Sequence, residues 1–214
     1  MSNRREFVAW GALAIGTLAA ARESAAFAQG TAPPRAAGAA AADPLYAFVY
    51  DDRFPDSAAF AAQARARGQR TQSLDHGDVT RLWYDDLYHQ WKKGPVGIAG
   101  LTTPGALFVL ETFGNDAGLR LQFKADHRRR GNQVEHRLFG PGPMLRAALP
   151  LETSGNQWSA HMGRVMCAAR RRSFERSEVR LTTQVSGGPP GENDYLVSWV
   201  LAPRSRGSMT TWGS

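Results

Sequence analysis

Between Leu45 and Lys124, short apolar runs alternate with stretches of helical periodicity, and this alternation constrains the fold more than any other feature of the chain. Leu45-Tyr-Ala-Phe-Val-Tyr50 is apolar without interruption and ends in Asp51-Asp52-Arg53. Unbroken apolarity over so short a run suits a strand buried on both faces. Asp56 or Ser57 can cap a helix over Ala58 to Arg67, which Gly68 stops. A second strand, Gln69 to Leu74, runs into Asp75-His76-Gly77-Asp78. Val79, Leu82, Trp83, Leu87 and Trp91 then fall at helical spacing, and Lys92, Lys93 and Gly94 close that helix. Pro95 to Leu101 reads as a third strand. Thr102-Thr103-Pro104-Gly105 opens a helix reaching about Phe113, and Leu119 to Lys124 is a fourth strand.

Strands alternating with helices of this length imply right-handed crossovers. The expected fold class is therefore α/β: a three-layer, mostly parallel sheet with helices on both faces, Rossmann-like or flavodoxin-like. The C-terminal half is less regular. Leu119 to His127 and Gln133 to Phe139 can form a hairpin around Arg130-Gly131-Asn132, which would set His136 nearly opposite His127. A helix from about Gln157 to Ser173 and a last strand, Tyr195 to Leu201, complete the domain.

The 214-residue chain begins with a different kind of signal. Asn3-Arg4-Arg5-Glu6-Phe7-Val8 places an arginine pair two positions before an aromatic, an apolar run follows from Val8 to Ala21, and Ala26-Phe27-Ala28 has the small-x-small pattern that a signal peptidase cuts after. The run is short of the roughly 20 residues that span a bilayer, so no stable membrane anchor is expected once it is removed. These residues resemble the twin-arginine signal, S/T-R-R-x-F-L-K, with Asn in place of the hydroxyl and Ala9 in place of Lys. The chain as a whole is similar to uncharacterised bacterial exported proteins that carry such a signal, the likeness being specific to residues 1–28. The resemblance implies recognition by the twin-arginine export machinery through Arg4, Arg5 and Phe7, and cleavage after Ala28. It also implies passage across the membrane in the folded state, a periplasmic or secreted location, and a bound cofactor or partner; which cofactor is unknown. An ordinary secretory signal is the alternative route. Residues 29–42, almost all Ala, Pro and Gly, are expected to form a flexible tether, residues 43–204 the folded domain, and residues 205–214 a loose tail.

The net charge is +7, and removal of the signal lowers it by one. Most of the excess is arginine, notably Arg128-Arg129-Arg130 and Arg170-Arg171-Arg172. A basic surface favours anionic partners such as a small acidic ligand, lipid headgroups or an acidic protein; nucleic acid is not expected of an exported chain. The single cysteine, Cys167, excludes an intramolecular disulfide and cysteine-pair metal sites, and no C-x-x-C-H is present to attach haem.

In open α/β sheets ligands bind beyond the carboxyl ends of the strands. Those ends carry Asp51, Asp52 and Arg53; Asp75, His76 and Asp78; Thr102 and Thr103; and Asp126 and His127. Gly97-x-x-Gly100-x-Thr102-Thr103-Pro104-Gly105 is the sharpest element: glycines let backbone approach a ligand, and a helix start favours a carboxylate or phosphate. Arg53, Asp78, Thr102, Thr103 and Gly105 are thus the candidate ligand-binding residues. His76, His127 and Asp52 are the candidate catalytic or metal-assisting groups, although no local spacing demands a metal. Trp83, Tyr84, Tyr88 and Trp91 give the second helix an aromatic character suited to a ligand site or partner surface. Three functions follow: a small-ligand-binding or accessory protein, which the residues favour; a periplasmic enzyme acting on a small anionic or aromatic substrate; and a passenger subunit of an exported redox enzyme.

Overall fold

A computed structural model of the chain describes residues 44–168, 176–187 and 195–203. The signal with Arg4, Arg5, Phe7 and Ala28, the tether at 29–42, the Arg170 to Arg172 cluster and the tail at 205–214 lie outside the described residues. Within the compact unit Ala40–Ser214, the first half alternates as its periodicity predicts: β1 (Ala47–Asp51), α1 (Pro55–Arg65), β2 (Thr71–Leu74), α2 (Thr80–Leu82), a π-helical turn (Trp83–Leu87), α3 (Tyr88–Lys93), β3 (Ile98–Thr102) and α4 (Pro104–Asp116). The second half contains β4 (Leu119–Arg130), β5 (Gln133–Pro141), α5 (Gly142–Ala148), α6 (Trp158–Ala168), β6 (Arg176–Gln184) and β7 (Tyr195–Pro203). The fold is α/β, with all seven strands in one mixed sheet of order β2-β1-β3-β7-β4-β5-β6.

The expected mostly parallel sheet does not form. Only β1 with β2 and β1 with β3 run parallel; the other four pairings are antiparallel. The last strand returns to the middle, inserting between β3 and β4 and running against both. The β4–β5 hairpin forms with its turn at Gly131 and Asn132, and His127 pairs directly with His136. Among the elements that escaped the sequence reading are α5 and β6. Strand β6 alternates exposed Glu178, Arg180 and Thr182 with buried Leu181 and Thr183, the pattern of an antiparallel strand with one wet face.

Two apolar cores lie on opposite faces of the sheet. Phe48, Leu101, Val200 and Leu138 face α1, α5 and α6, where they meet Phe60, Met144, Trp158 and Met162. Ala47, Val49, Ile98 and Leu201 face the other way, onto Leu82, Leu87, Trp91, Leu107 and Leu110 of the α2–α3 segment and α4. On that second face β5 and β6 present Arg137, Glu178 and Arg180 as an exposed charge cluster.

One irregularity sets the chemistry of the interior. Leu121 pairs with Leu201 while Phe123 pairs with Val200, so β4 carries a bulge at Gln122. An extra residue in one strand turns every later side chain to the opposite face. Leu119 and Leu121 therefore serve the α4 core, whereas Phe123, Ala125 and His127 turn beneath α6.

Candidate functional site

The C-terminal ends of β1, β2 and β3 share one edge, and β4 points its end the same way because it opposes β7, which opposes β3. Thr102 and Asp126 stand at one level, each paired with Val197. At the end of β1 the Asp51 carboxylate is fully buried. A buried carboxylate needs a charged, bidentate partner. Arg53 supplies it, donating from Nε to Oδ1 at 2.9 Å and from Nη2 to Oδ2 at 2.7 Å. The Asp51 amide donates to Ser57 Oγ at 2.9 Å, and the Ser57 hydroxyl donates to the carbonyl of Leu101 in β3. Gly77, with φ of 81°, closes onto this pair, since a Cβ there would collide with the Arg53 guanidinium. The loops after β1 and β2 are thereby locked together.

In the turn after β2, His76 takes φ of 50° and brings Nδ1 to 2.8 Å from Asp75 Oδ1. That hydrogen bond, the charge on Asp75 and the charge on Asp52 pull the exposed imidazole above its ordinary pKa. Asp78 accepts from the Thr80 amide at 2.8 Å, and its hydrogen bonds with Thr80 hold its carboxyl below the usual range. Asp78 thus starts α2.

A groove of about 530 Å³ opens beside this edge, between β2 and the segment that begins with α2. Asp52, Asp75, Asp85 and Asp86 line it with Arg70 and Arg81, together with Gln72, Ser73 and Leu82. Asp86 accepts from Tyr46 Oη at 2.6 Å, Arg70 Nη2 at 2.9 Å and Gln72 Nε2 at 3.0 Å. Arg70 also donates to Tyr46 Oη and lies over the Tyr46 ring, 4.5 Å from its centroid. Burial and then the Asp86 bond push the Tyr46 hydroxyl up in pKa. Arg81 Nε lies 3.5 Å from Asp85 Oδ2. Each guanidinium is matched by one carboxylate and Asp75 holds the His76 imidazole, so the negative surplus of the groove rests chiefly on Asp52. Asp85 and Asp86 both come from the π-helical turn, an irregularity frequently met at functional sites.

Thr102 and Gly100 have other duties than the ones their motif suggests. Thr102 is fully buried; its Oγ1 accepts from Trp199 Nε1 at 3.0 Å and donates to the Thr103 carbonyl at 3.2 Å. Gly100 makes room for the same indole, because a Cβ would run into the Trp199 ring and sit 2.8 Å from the Val49 carbonyl. The close backbone approach is made by Trp199 from β7. Thr103 caps α4 through Ala106 N at 3.4 Å, and Gly105 is exposed in the first turn. Neither lines the groove. Arg53, 42 % exposed, stands above Asp51 with its charge already engaged.

His127 is held in the interior, away from His76. Three strands separate β2 from β4, on the order of 19 Å at the usual spacing between neighbours, so His76, His127 and Asp52 do not form one catalytic set. His127 and Asp126 also diverge: Asp126 accepts from Tyr195 Oη at 2.7 Å and pairs with Lys124 at 3.0 Å. Among the described residues no group of three His, Cys, Asp or Glu side chains is placed to hold a metal.

Instead His127 joins a buried polar chain across four strands. Thr183 Oγ1 lies 2.5 Å from the Leu151 carbonyl, which only accepts, so the Thr183 hydroxyl donates there. Its oxygen then accepts from His136 Nε2 at 2.9 Å. His136 Nδ1 is left as an acceptor for His127 Nδ1–H at 2.7 Å, and His127 Nε2 accepts from the Ser198 hydroxyl at 2.8 Å. Trp158 covers both rings, with centroids 4.6 Å and 5.3 Å away. Burial, reinforced by His136, drives His127 well below its ordinary pKa; burial brings His136 down to about 4. Both imidazoles are neutral, and all four links are satisfied in one direction. Ser198 is fully buried, so this is an interior network and not an accessible nucleophile. Burial raises the pKa of the half-buried Cys167, which keeps its thiol protonated and unreactive.

Sequence reasoning missed Arg70, Arg81, Asp85 and Asp86, and the partners Ser198 and Thr183. The visible signal was Asp85-Asp86 within an otherwise apolar-faced helix. No protein-family model matches this chain, and no curated protein or solved structure matches it either.

Proposed function

We propose that this protein is exported folded by the twin-arginine route and acts in the periplasm or outside the cell as a binder of a small, polar, positively charged molecule. The observation that carries the ligand reading is the groove of about 530 Å³ with four carboxylates against two guanidiniums. Its volume lies in the range of small-molecule sites. The negative surplus argues against the acidic ligand suggested by the overall basic charge, since charge across a binding site is complementary to its ligand. The raised pKa of His76 supports the same sign of potential at the Asp52–Asp75 end.

The enzyme reading loses support because its two imidazoles are separated and one is sealed in the core. A passenger role resting on Arg128 to Arg130 is weakened by their internal engagements: Arg128 over the Tyr195 ring, Arg129 on the Gly187 carbonyl, Arg130 with Glu135.

Calorimetric titration with 1,4-diaminobutane and with succinate tests the ligand reading. Binding of the diamine, weakened about tenfold in Asp52→Asn, supports it. Binding of succinate alone, or of neither compound, overturns it. For the route, replacing Arg4 and Arg5 with lysine should hold the chain in the cytoplasm; undiminished export would refute twin-arginine transport.

A further inference from the structure

The long free edge of the sheet carries a separate inference. Strand β2 ends one side of the sheet and is only four residues long, a length that offers little to pair with. Strand β6 ends the other side with nine residues, and among the described residues it pairs with β5 alone. Charges guard such an edge when they repel a second copy. Here they alternate in sign: Arg176, Glu178 and Arg180 lie on the wet face, with Val179 half-buried on the other.

We propose that β6 pairs antiparallel with β6 of a second copy of this chain, centred on Val179, joining the two sheets into one. In that register Glu178 faces Arg180 of the partner subunit, and Arg180 faces the partner subunit's Glu178. Two opposite-charge pairs form on the face where Arg137 and Arg180 already hold Glu178, each at 2.8 Å. Val179, packed against the main core from its edge, gains an apolar neighbour on its open side. Centring the strands on Glu178 or on Arg180 would instead set like charges against each other, which is unfavourable. The edge is self-complementary in one of these three registers, and that selects a second copy as the occupant.

Sedimentation of the purified full chain over a wide concentration range tests this. The proposal expects a reversible dimer whose dissociation constant rises at least about tenfold in Arg180→Glu, where both pairs become repulsive. The double variant Glu178→Arg with Arg180→Glu restores opposite signs and should recover the dimer. Circular dichroism of each variant reports folding, which these exposed positions should not disturb. A monomer at every concentration, or a dimer unaffected by Arg180→Glu, overturns the proposal. So does failure of the double variant, folded, to recover association.

Discussion

Acid should weaken this protein through the His127–His136 pair before most of its carboxylates protonate. In the folded state His136 titrates at about 4 because burial disfavours its charged form, against an ordinary value of 6.5. Its stabilising contribution is therefore complete above pH 6.5, declines as pH falls from 6.5 towards 4, and is gone below 4. The full shift corresponds to about 3 kcal/mol, and linkage assigns roughly 2 kcal/mol of it to the interval between pH 7 and pH 4.5. His127 is displaced in the same direction and adds to the loss. Geometry gives the mechanism: a proton on His136 Nδ1 would face the donor His127 Nδ1–H across 2.7 Å. The assay is urea unfolding at the two pH values, comparing the native chain with a triple variant, His127→Leu, His136→Leu and Ser198→Ala. Removing the linked partners together leaves no orphaned polar group, because Thr183 keeps its Leu151 carbonyl. The pH-dependent loss should shrink in the variant by at least about 2 kcal/mol. An undiminished loss would instead assign acid sensitivity to the carboxylates.

Three further outcomes are expected. Gly100→Ala should destabilise the fold by about 1–3 kcal/mol in thermal unfolding, because the new methyl overlaps the Trp199 ring. Its near-UV circular dichroism should change as the indole leaves Thr102, and an unperturbed spectrum would contradict that packing. Deletion of Gln122 should leave cooperative two-state unfolding, since it removes the extra residue while Leu121 stays opposite Leu201 and Phe123 stays opposite Val200, each on its present face; loss of the cooperative transition would disprove the bulge assignment. Gly77→Ala should cost about 1 kcal/mol or more through its φ of 81° and displace Arg53 from Asp51, an effect measurable by urea unfolding.

The sequence made the local architecture legible where neighbours along the chain decide it. Apolar periodicity placed β1 through α4, and glycine with asparagine at 131–132 placed the hairpin that sets His127 against His136. What stayed hidden was non-local. Nothing within Tyr195 to Pro203 says that this strand will thread between β3 and β4, because its partners lie some seventy to one hundred residues earlier. That insertion converts an expected parallel sheet into a mixed one and recruits Gly100 and Thr102 to hold Trp199. The candidate edge was legible through Asp52 and Asp75. The other side of the groove was not, because Asp85 and Asp86 read as the solvent face of a regular helix and the π-helical turn has no sequence signature.

The most direct test of the account is amide chemical-shift mapping of the exported protein during titration with 1,4-diaminobutane. A cation seated in the groove should give saturable shifts at Asp52, Arg70, Asp75, Asp85 and Asp86, with Thr103 and Gly105 undisturbed. Shifts centred on Thr103 to Gly105, or none that saturate, would contradict a cation-binding groove.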